Sequence, residues 1–355
     1  MIRNALLLCA GILVATALAC APAVAPPPPP PFTVNTVNCT SPAAFAASVQ
    51  TLSANFVPNP LGPPASAPPP GGPIANPNII ADLTNAFALA PPRFRNHLCG
   101  AGGNPGVAVF IQDCLAGSAC VVGSWGYRQR STGARFIALS AGLWQTVGIG
   151  SALPYTDFET AVLANLLGGS GVARYQSASN NSPEMTVLAA LAHEMGHILL
   201  WDGMGWVMNK ACPAPHPGLP DRFWQISWRD PASPPPFHRF GDEFPGARRI
   251  NPLDKDRIRS EVLAGQLDIA RNDLQQIYSG EWASLLANVA PDEDLIESYK
   301  LFILNTANNV GAGPLTSLTI AIPSQPPPPP DVIRQSLTNG TPLFDKRRWI
   351  NACLP

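Results

Sequence analysis

The run His193-Glu194-Met195-Gly196-His197 sets two imidazoles four positions apart with a carboxylate beside the first. On an α-helix, residues at i and i+4 share a face, so both rings can reach one metal ion while Glu194 projects alongside, towards a water that the ion would hold. Imidazole suits zinc, and a catalytic zinc site takes three protein ligands and a water. The ion lowers the pKa of such a water to about 7, and a neighbouring carboxylate can then take its proton as it attacks a carbonyl. Five histidines and eight glutamates stand in 355 positions, which gives on the order of 0.002 chance occurrences of this pattern and argues against coincidence. The plain alternative is a pair of satisfied core histidines. It is opposed by the position of the motif, in mid-helix between clear start and stop signals.

A third ligand has to come from elsewhere in the chain. An extended metzincin pattern would require Gly at position 200 and His at 203, where Leu200 and Gly203 stand. A later segment, Asp292-Glu293-Asp294-Leu295-Ile296-Glu297-Ser298-Tyr299, offers acids four residues apart. Taken alone, acids at a helix start need mean no more than a favourable interaction with the helix dipole. Beside a His-Glu-x-x-His helix, however, the segment resembles the gluzincins, the thermolysin-like members of the zincin superfamily. There a glutamate on a later helix ligates zinc, and a second acid four residues on orients a ligand histidine. Ser298-Tyr299 fits the small-then-aromatic continuation. The resemblance covers these two helices only. It implies Glu293 as third ligand and Glu297 as the hydrogen-bond partner of a ligand histidine, with Glu297 as ligand the open alternative.

Other candidates are less specific. His238, in Pro-Phe-His-Arg-Phe, and Tyr299 could stabilise the oxyanion of an attacked carbonyl, although a lone histidine in a Pro-rich loop is ordinarily a surface residue. His97 and His216 have no partner that the sequence reveals. Ser124-Trp125-Gly126-Tyr127-Arg128 either edges a cleft or packs, and reads rather as packing.

The elements that must position this chemistry are legible in outline. Ser182-Pro183-Glu184 starts a helix: serine caps free amides, proline suits the first helical position, and an early acid complements the dipole. Apolar spacing continues through Leu188, Leu191, Met195, Ile198 and Leu199 to Asp202-Gly203, which makes this helix mostly apolar and predicts burial. Val107–Gln112 and Arg135–Leu139 are β-branched or aromatic runs between Gly-rich turns, the mark of strands. Asp157–Leu167 has helical spacing and stops at Gly168-Gly169. After a Pro- and aromatic-rich middle, helices are predicted over Asp254–Ala264, Leu267–Leu286 and Glu293–Leu304. The expected fold class is α+β and zincin-like: a small mixed sheet, an active-site helix and a mostly helical C-terminal half.

Residues 1–20 carry Arg3 and then an apolar run to Ala19, which is an export leader too short for a comfortable membrane span. Ala17-Leu18-Ala19 suits signal peptidase, while Leu18-Ala19-Cys20 partly resembles a lipobox, so Cys20 is either a lipid anchor or discarded. Residues 21–73 are rich in Pro and Ala and read as a stalk or spacer. Within it, Ser41–Leu52 carries helix formers that Cys39 could tether to the body. The catalytic-type domain is expected over 74–355, with a Pro-rich tail from about 323. Outside the leader, Cys39, Cys99, Cys114, Cys120, Cys212 and Cys353 form an even set, which in an oxidising compartment reads as disulfides; Cys114 with Cys120 is the one local pairing.

Net charge is −1 and charged residues are 13% of the chain, which argues against a nucleic-acid partner. These readings converge on an exported hydrolase, secreted, periplasmic or held to the cell envelope, that uses one zinc ion to cleave a peptide or protein substrate, with Glu194 as general base. The alternatives are a non-catalytic envelope protein with a structural zinc and a Pro-stalked adhesion module with no metal.

Overall fold

The computed structural model describes residues 35–52, 71–100, 105–112, 124–128, 133–145, 150–168, 174–177, 181–202, 212, 216–229, 248–249, 253–307, 319–321, 331–332 and 339–354. Chain order begins with a short helix α1 (Pro42–Ser48), whose cap is the Ser41 hydroxyl accepting from the Ala44 amide, and strand β1 (Gln50–Leu52). Helices α2 (Pro77–Leu89) and α3 (Pro92–Cys99) follow, both with proline in the first turn, where its missing N–H has no helical partner to lose. Next come strands β2 (Val107–Gln112), β3 (Trp125–Arg128) and β4 (Arg135–Ser140), the single-turn helix α4 (Gly142–Gln145) and helix α5 (Tyr155–Leu167). Gly168 ends α5 at φ 80°, a left-handed conformation that favours glycine.

Strand β5 (Arg174–Ser177) precedes the long helix α6 (Pro183–Asp202). Beyond it lie the two-residue strands β6 (Trp228–Arg229) and β7 (Arg248–Arg249), then helices α7 (Lys255–Leu263), α8 (Leu267–Ile277) and α9 (Pro291–Asn305). Strands β8 (Thr319–Ala321) and β9 (Asp331–Val332) and helix α10 (Pro342–Cys353) complete the described elements.

The main sheet has the order β1-β2-β4-β3. β1, β2 and β4 run parallel and β3 closes the sheet antiparallel to β4. Because side chains alternate across a strand, Val107, Val109, Ile111, Ile137 and Leu139 enter the large core shared with the helices. Their neighbours Ala108, Phe110, Phe136 and Ala138 join Leu52, Trp125 and Tyr127 in a second cluster on the other face. α6 is buried nearly all round, from Met185 to Leu200, as its continuous apolar sequence requires. The architecture is α+β, with a small mixed sheet and mostly helical content.

Two expectations are corrected. Within the segment expected as stalk, residues 35–52 belong to the body, as the tether expected at Cys39 allowed: Phe45 is fully buried, β1 pairs with β2, and Cys39 is bonded to Cys99. The helix formers noted over Ser41–Leu52 appear as α1, while the proline-rich surroundings hid the edge strand β1; both gain their stability from the core they join. The helix expected over Leu267–Leu286 ends at Ile277. The apolar residues beyond it, Trp282, Ala283 and Leu285, are buried from turns instead. A second disulfide joins Cys212 to Cys353. The pair expected from sequence, Cys114 with Cys120, lies outside the described residues, as do the leader and Cys20.

Candidate metal centre

Helix α6 begins where Ser182 accepts a hydrogen bond from the Met185 amide, and it carries His193, Glu194 and His197 two to four turns on. Two glycines let other elements come close to it. A Cβ built on Gly196 would lie 3.1 Å from Cα and Cγ2 of Ile296, so α9 crosses α6 nearer than a larger residue would permit. A Cβ on Gly126 would lie 2.0 Å from the Glu194 carbonyl oxygen, a distance that no side chain tolerates. Strand β3 therefore lies directly along the histidine-bearing turn, and the Gly126 N–H donates to the Glu194 carboxylate.

The first close approach brings Glu293, in the opening turn of α9, up to both histidines. His193 Nε2 lies 4.0 Å from Glu293 Oε2, and His197 Nε2 lies 3.8 Å from Oε1. The two rings stand nearly perpendicular, with centroids 5.0 Å apart. One ligand atom from each of His193, His197 and Glu293 falls within 4.8 Å of the others, a group that could hold a metal ion. Glu293 Oε2 and Glu194 Oε2 are both buried without a hydrogen-bond partner. Leaving a carboxylate oxygen dry and unpaired is costly, and a cation between the three side chains would relieve the cost at Glu293. The residues present fit such an ion.

Glu297 does something different. Its Oε1 lies 2.7 Å from His193 Nδ1, while Oε2 accepts from the Ser284 hydroxyl at 2.5 Å and pairs with Lys300 Nζ at 2.8 Å. Lys300 Nζ in turn reaches Glu159 Oε1, on α5, at 2.9 Å. Of the two acids expected to compete for the third position, Glu293 faces the imidazole Nε2 atoms and Glu297 the far nitrogen of His193.

Burial dominates the electrostatics of this arrangement. It pushes Glu293 up to about 8 and Glu194 to about 7, the positive charge of His193 opposing it in both. Burial alone would lower His193, but the hydrogen bond to Glu297 and the surrounding carboxylates outweigh it and raise the ring to about 9. His197, buried beside a charged His193, is held well below its ordinary value. Burial would raise Glu297 too, yet Lys300 and His193 hold it below the ordinary carboxylate range.

Beside the histidines a cavity of about 90 Å³ is walled by Ser124, Phe158, Val162, Ala190 and Leu286, with His193, Glu194, Glu297 and Lys300 also reaching it. The segment Ser124–Arg128, open in the sequence between edging a cleft and packing and read rather as packing, does line the cavity through Ser124, whereas nothing in the sequence had pointed to Lys300. Glycine is a poor strand former, which hid that the segment is a strand. Lys300 could have been noticed three residues after Glu297, on the same face of an expected helix.

The remaining candidates separate from the centre. Tyr299, expected as a possible oxyanion stabiliser, is corrected to a core residue: it is fully buried and its hydroxyl lies 2.6 Å from His97 Nδ1. Six residues beyond Glu293, it leaves α9 from a different face. His216 is exposed beside Arg348. His238 lies outside the described residues. A scan against protein-family models, a search of curated proteins and a search of solved structures each found no match to this chain.

Proposed function

We propose that the chain is an exported zinc-dependent metallopeptidase of zincin type, with His193, His197 and Glu293 as metal ligands and Glu194 as general base. The observation that carries this reading is the buried, unpartnered Oε2 of Glu194 beside the three ligand side chains. A structural zinc has no use for a free carboxylate at that place, whereas hydrolysis needs one. Two imidazoles and a carboxylate form the ligand set of a catalytic zinc site with one position open. Zinc, when bound, supplies a Lewis acid that acidifies water and polarises a carbonyl.

The protein's own groups do the rest. Glu194 takes a proton from the attacking water and returns it to the leaving amide nitrogen, and the Gly126 N–H holds its carboxylate in place. Glu297 keeps His193 oriented through Nδ1, which leaves Nε2 facing Glu293. The apolar wall of Phe158, Val162, Ala190 and Leu286 suits an uncharged side chain next to the bond to be cut.

The leader at residues 1–20 and the bonds Cys39–Cys99 and Cys212–Cys353 agree with an oxidising, exported location. No helix among the described residues is long and apolar enough to cross a membrane. The test is zinc analysis of the purified chain together with cleavage of a peptide library, with and without a chelator. One zinc and chelator-sensitive cleavage are expected. Zinc without cleavage would leave the structural-zinc reading, and the absence of zinc would sink both.

A further inference from the structure

Among the described residues, the enclosed pair Lys346–Asp294 joins one base to one acid, and Arg257, which two acids share, is half exposed; Lys300 is a buried base shared by two acids. Its Nζ lies 2.8 Å from Glu297 Oε2 and 2.9 Å from Glu159 Oε1, and the three side chains are 7%, 1% and 5% exposed. Tyr155, at the start of α5, hydrogen-bonds Glu159 from the far side. A lysine and two carboxylates placed this deep are expensive to desolvate. Packing alone does not explain them, since apolar side chains would fill the same space more cheaply.

The geometry shows what the arrangement does. Glu297 has two oxygens, and Oε2 is occupied by two donors, the Ser284 hydroxyl at 2.5 Å and Lys300 at 2.8 Å. Those contacts fix the carboxylate plane, so that Oε1 is left on His193 Nδ1 at 2.7 Å. An imidazole whose Nδ1–H is held in this way presents Nε2 as the lone-pair nitrogen. Glu159 holds Lys300 from α5, so the position of that nitrogen depends on a helix that carries none of the ligands.

We infer that Lys300 and Glu159, with Ser284, are positioning residues of the metal centre, acting through Glu297 to fix the tautomer and orientation of His193. This rests on the reading of His193, His197 and Glu293 as a metal site. The chain thus places a three-residue relay, Glu159 to Lys300 to Glu297, behind one histidine ligand.

The test measures Zn²⁺ affinity by competition with a chelator, and thermal unfolding of the metal-free protein, in the full chain. In Lys300→Met with Glu159→Gln the outer ion pair becomes two neutral groups of similar size, so burial is kept while the hold on Oε2 is lost. Zinc affinity is expected to fall about 10- to 100-fold, the range for a group orienting a ligand, and Lys300→Arg is expected to recover most of it. Affinity equal to the wild type in the double variant, whatever its melting temperature, would overturn the inference and leave Lys300 a purely structural residue.

If that double variant does not fold, Ser284→Ala removes the other donor to Oε2 and carries the test. About a threefold to tenfold loss of zinc affinity is expected for one hydrogen bond, and unchanged affinity would overturn the inference. Wild-type chain that binds no Zn²⁺, or binds it equally well as His193→Ala, would instead bring down the metal site itself.

Discussion

Glu293 and Asp294 are neighbours in the first turn of one helix, and they meet opposite fates. Asp294 is fully buried and closed off. Its Oδ1 accepts from Lys346 at 2.8 Å and Ser298 at 3.4 Å, and its Oδ2 from the Trp228 indole at 3.1 Å. Lys346 is equally enclosed, donating also to the Glu281 carbonyl at 2.7 Å and lying 4.2 Å over the Trp282 ring. Glu293, one residue earlier, keeps an oxygen that is out of water and bonded to nothing. Burial pushes both carboxyls up, Asp294 to about 6 and Glu293 to about 8; Lys346 restrains the first, and the charge on His193 opposes the rise of the second. A completed polar cluster holds a fold together, and an incomplete one beside two imidazoles could hold a metal ion.

The sharpest way to break this contrast is Glu194→Gln, which retains size and hydrogen bonding but removes the base. Peptide cleavage is expected to fall by at least the 10²- to 10⁴-fold typical of general-base catalysis, with one zinc still bound and the melting temperature not lowered. A variant that cleaves as well as wild type would refute the open side of the comparison.

Next in size is Lys346→Met on the closed side. Removing one partner of a buried pair costs about 3–5 kcal/mol. Denaturant unfolding should report that loss, while whatever protein still folds takes up zinc with wild-type stoichiometry. A stable, zinc-free Lys346→Met protein would show that the two clusters are not separate.

A smaller effect is expected from pH. In the metal-free site His193 and Glu293, raised to about 9 and about 8, both hold protons at neutrality. Zinc ligands must give theirs up. Protons therefore compete with the metal: zinc affinity should rise as pH climbs through this range and fall as it drops, with proton release on binding seen by calorimetry in buffers of different ionisation heat. An affinity independent of pH between 6 and 9 would contradict the ligand assignment.

The smallest predicted change is Gly196→Ala. Alanine favours the helix by up to about 1 kcal/mol over glycine, but its methyl group would stand 3.1 Å from Ile296 and push α9 outward by a fraction of an ångström. Stability should change by less than about 1 kcal/mol, with zinc affinity falling a few-fold. Unchanged affinity would show that the approach of α6 to α9 is not what sets the site's geometry.

How much of this was written in the sequence depended on range. The histidine helix announced itself through Ser182-Pro183 and a stop after Asp202, and the acid helix through its run of carboxylates, because capping and dipole effects act within a turn. The segment Ser124–Arg128 stood out only as a cleft edge or packing, and its part in the site did not announce itself, since the reason for Gly126 is a contact with Glu194, 68 positions away. Nor did the end of α8: apolar residues continue past Ile277 with helical spacing, and only packing decides that Trp282 and Leu285 are buried from turns. The pairing of Lys300 with Glu159 spans 141 positions, and the disulfides span 60 and 141. No local pattern encodes such partners.

The bond between Lys346 and Asp294 also sets a timetable. Asp294 emerges during synthesis 52 positions before the lysine that neutralises it, so the helix bearing Glu293 has an uncompensated carboxylate on its inner side until α10 is delivered. Cys353, at the end of α10, then fastens that helix to Cys212. The helix that carries Glu293 thus gains its Lys346 neighbour and the support of a disulfide-fastened α10 last of all, long after both histidines have been made.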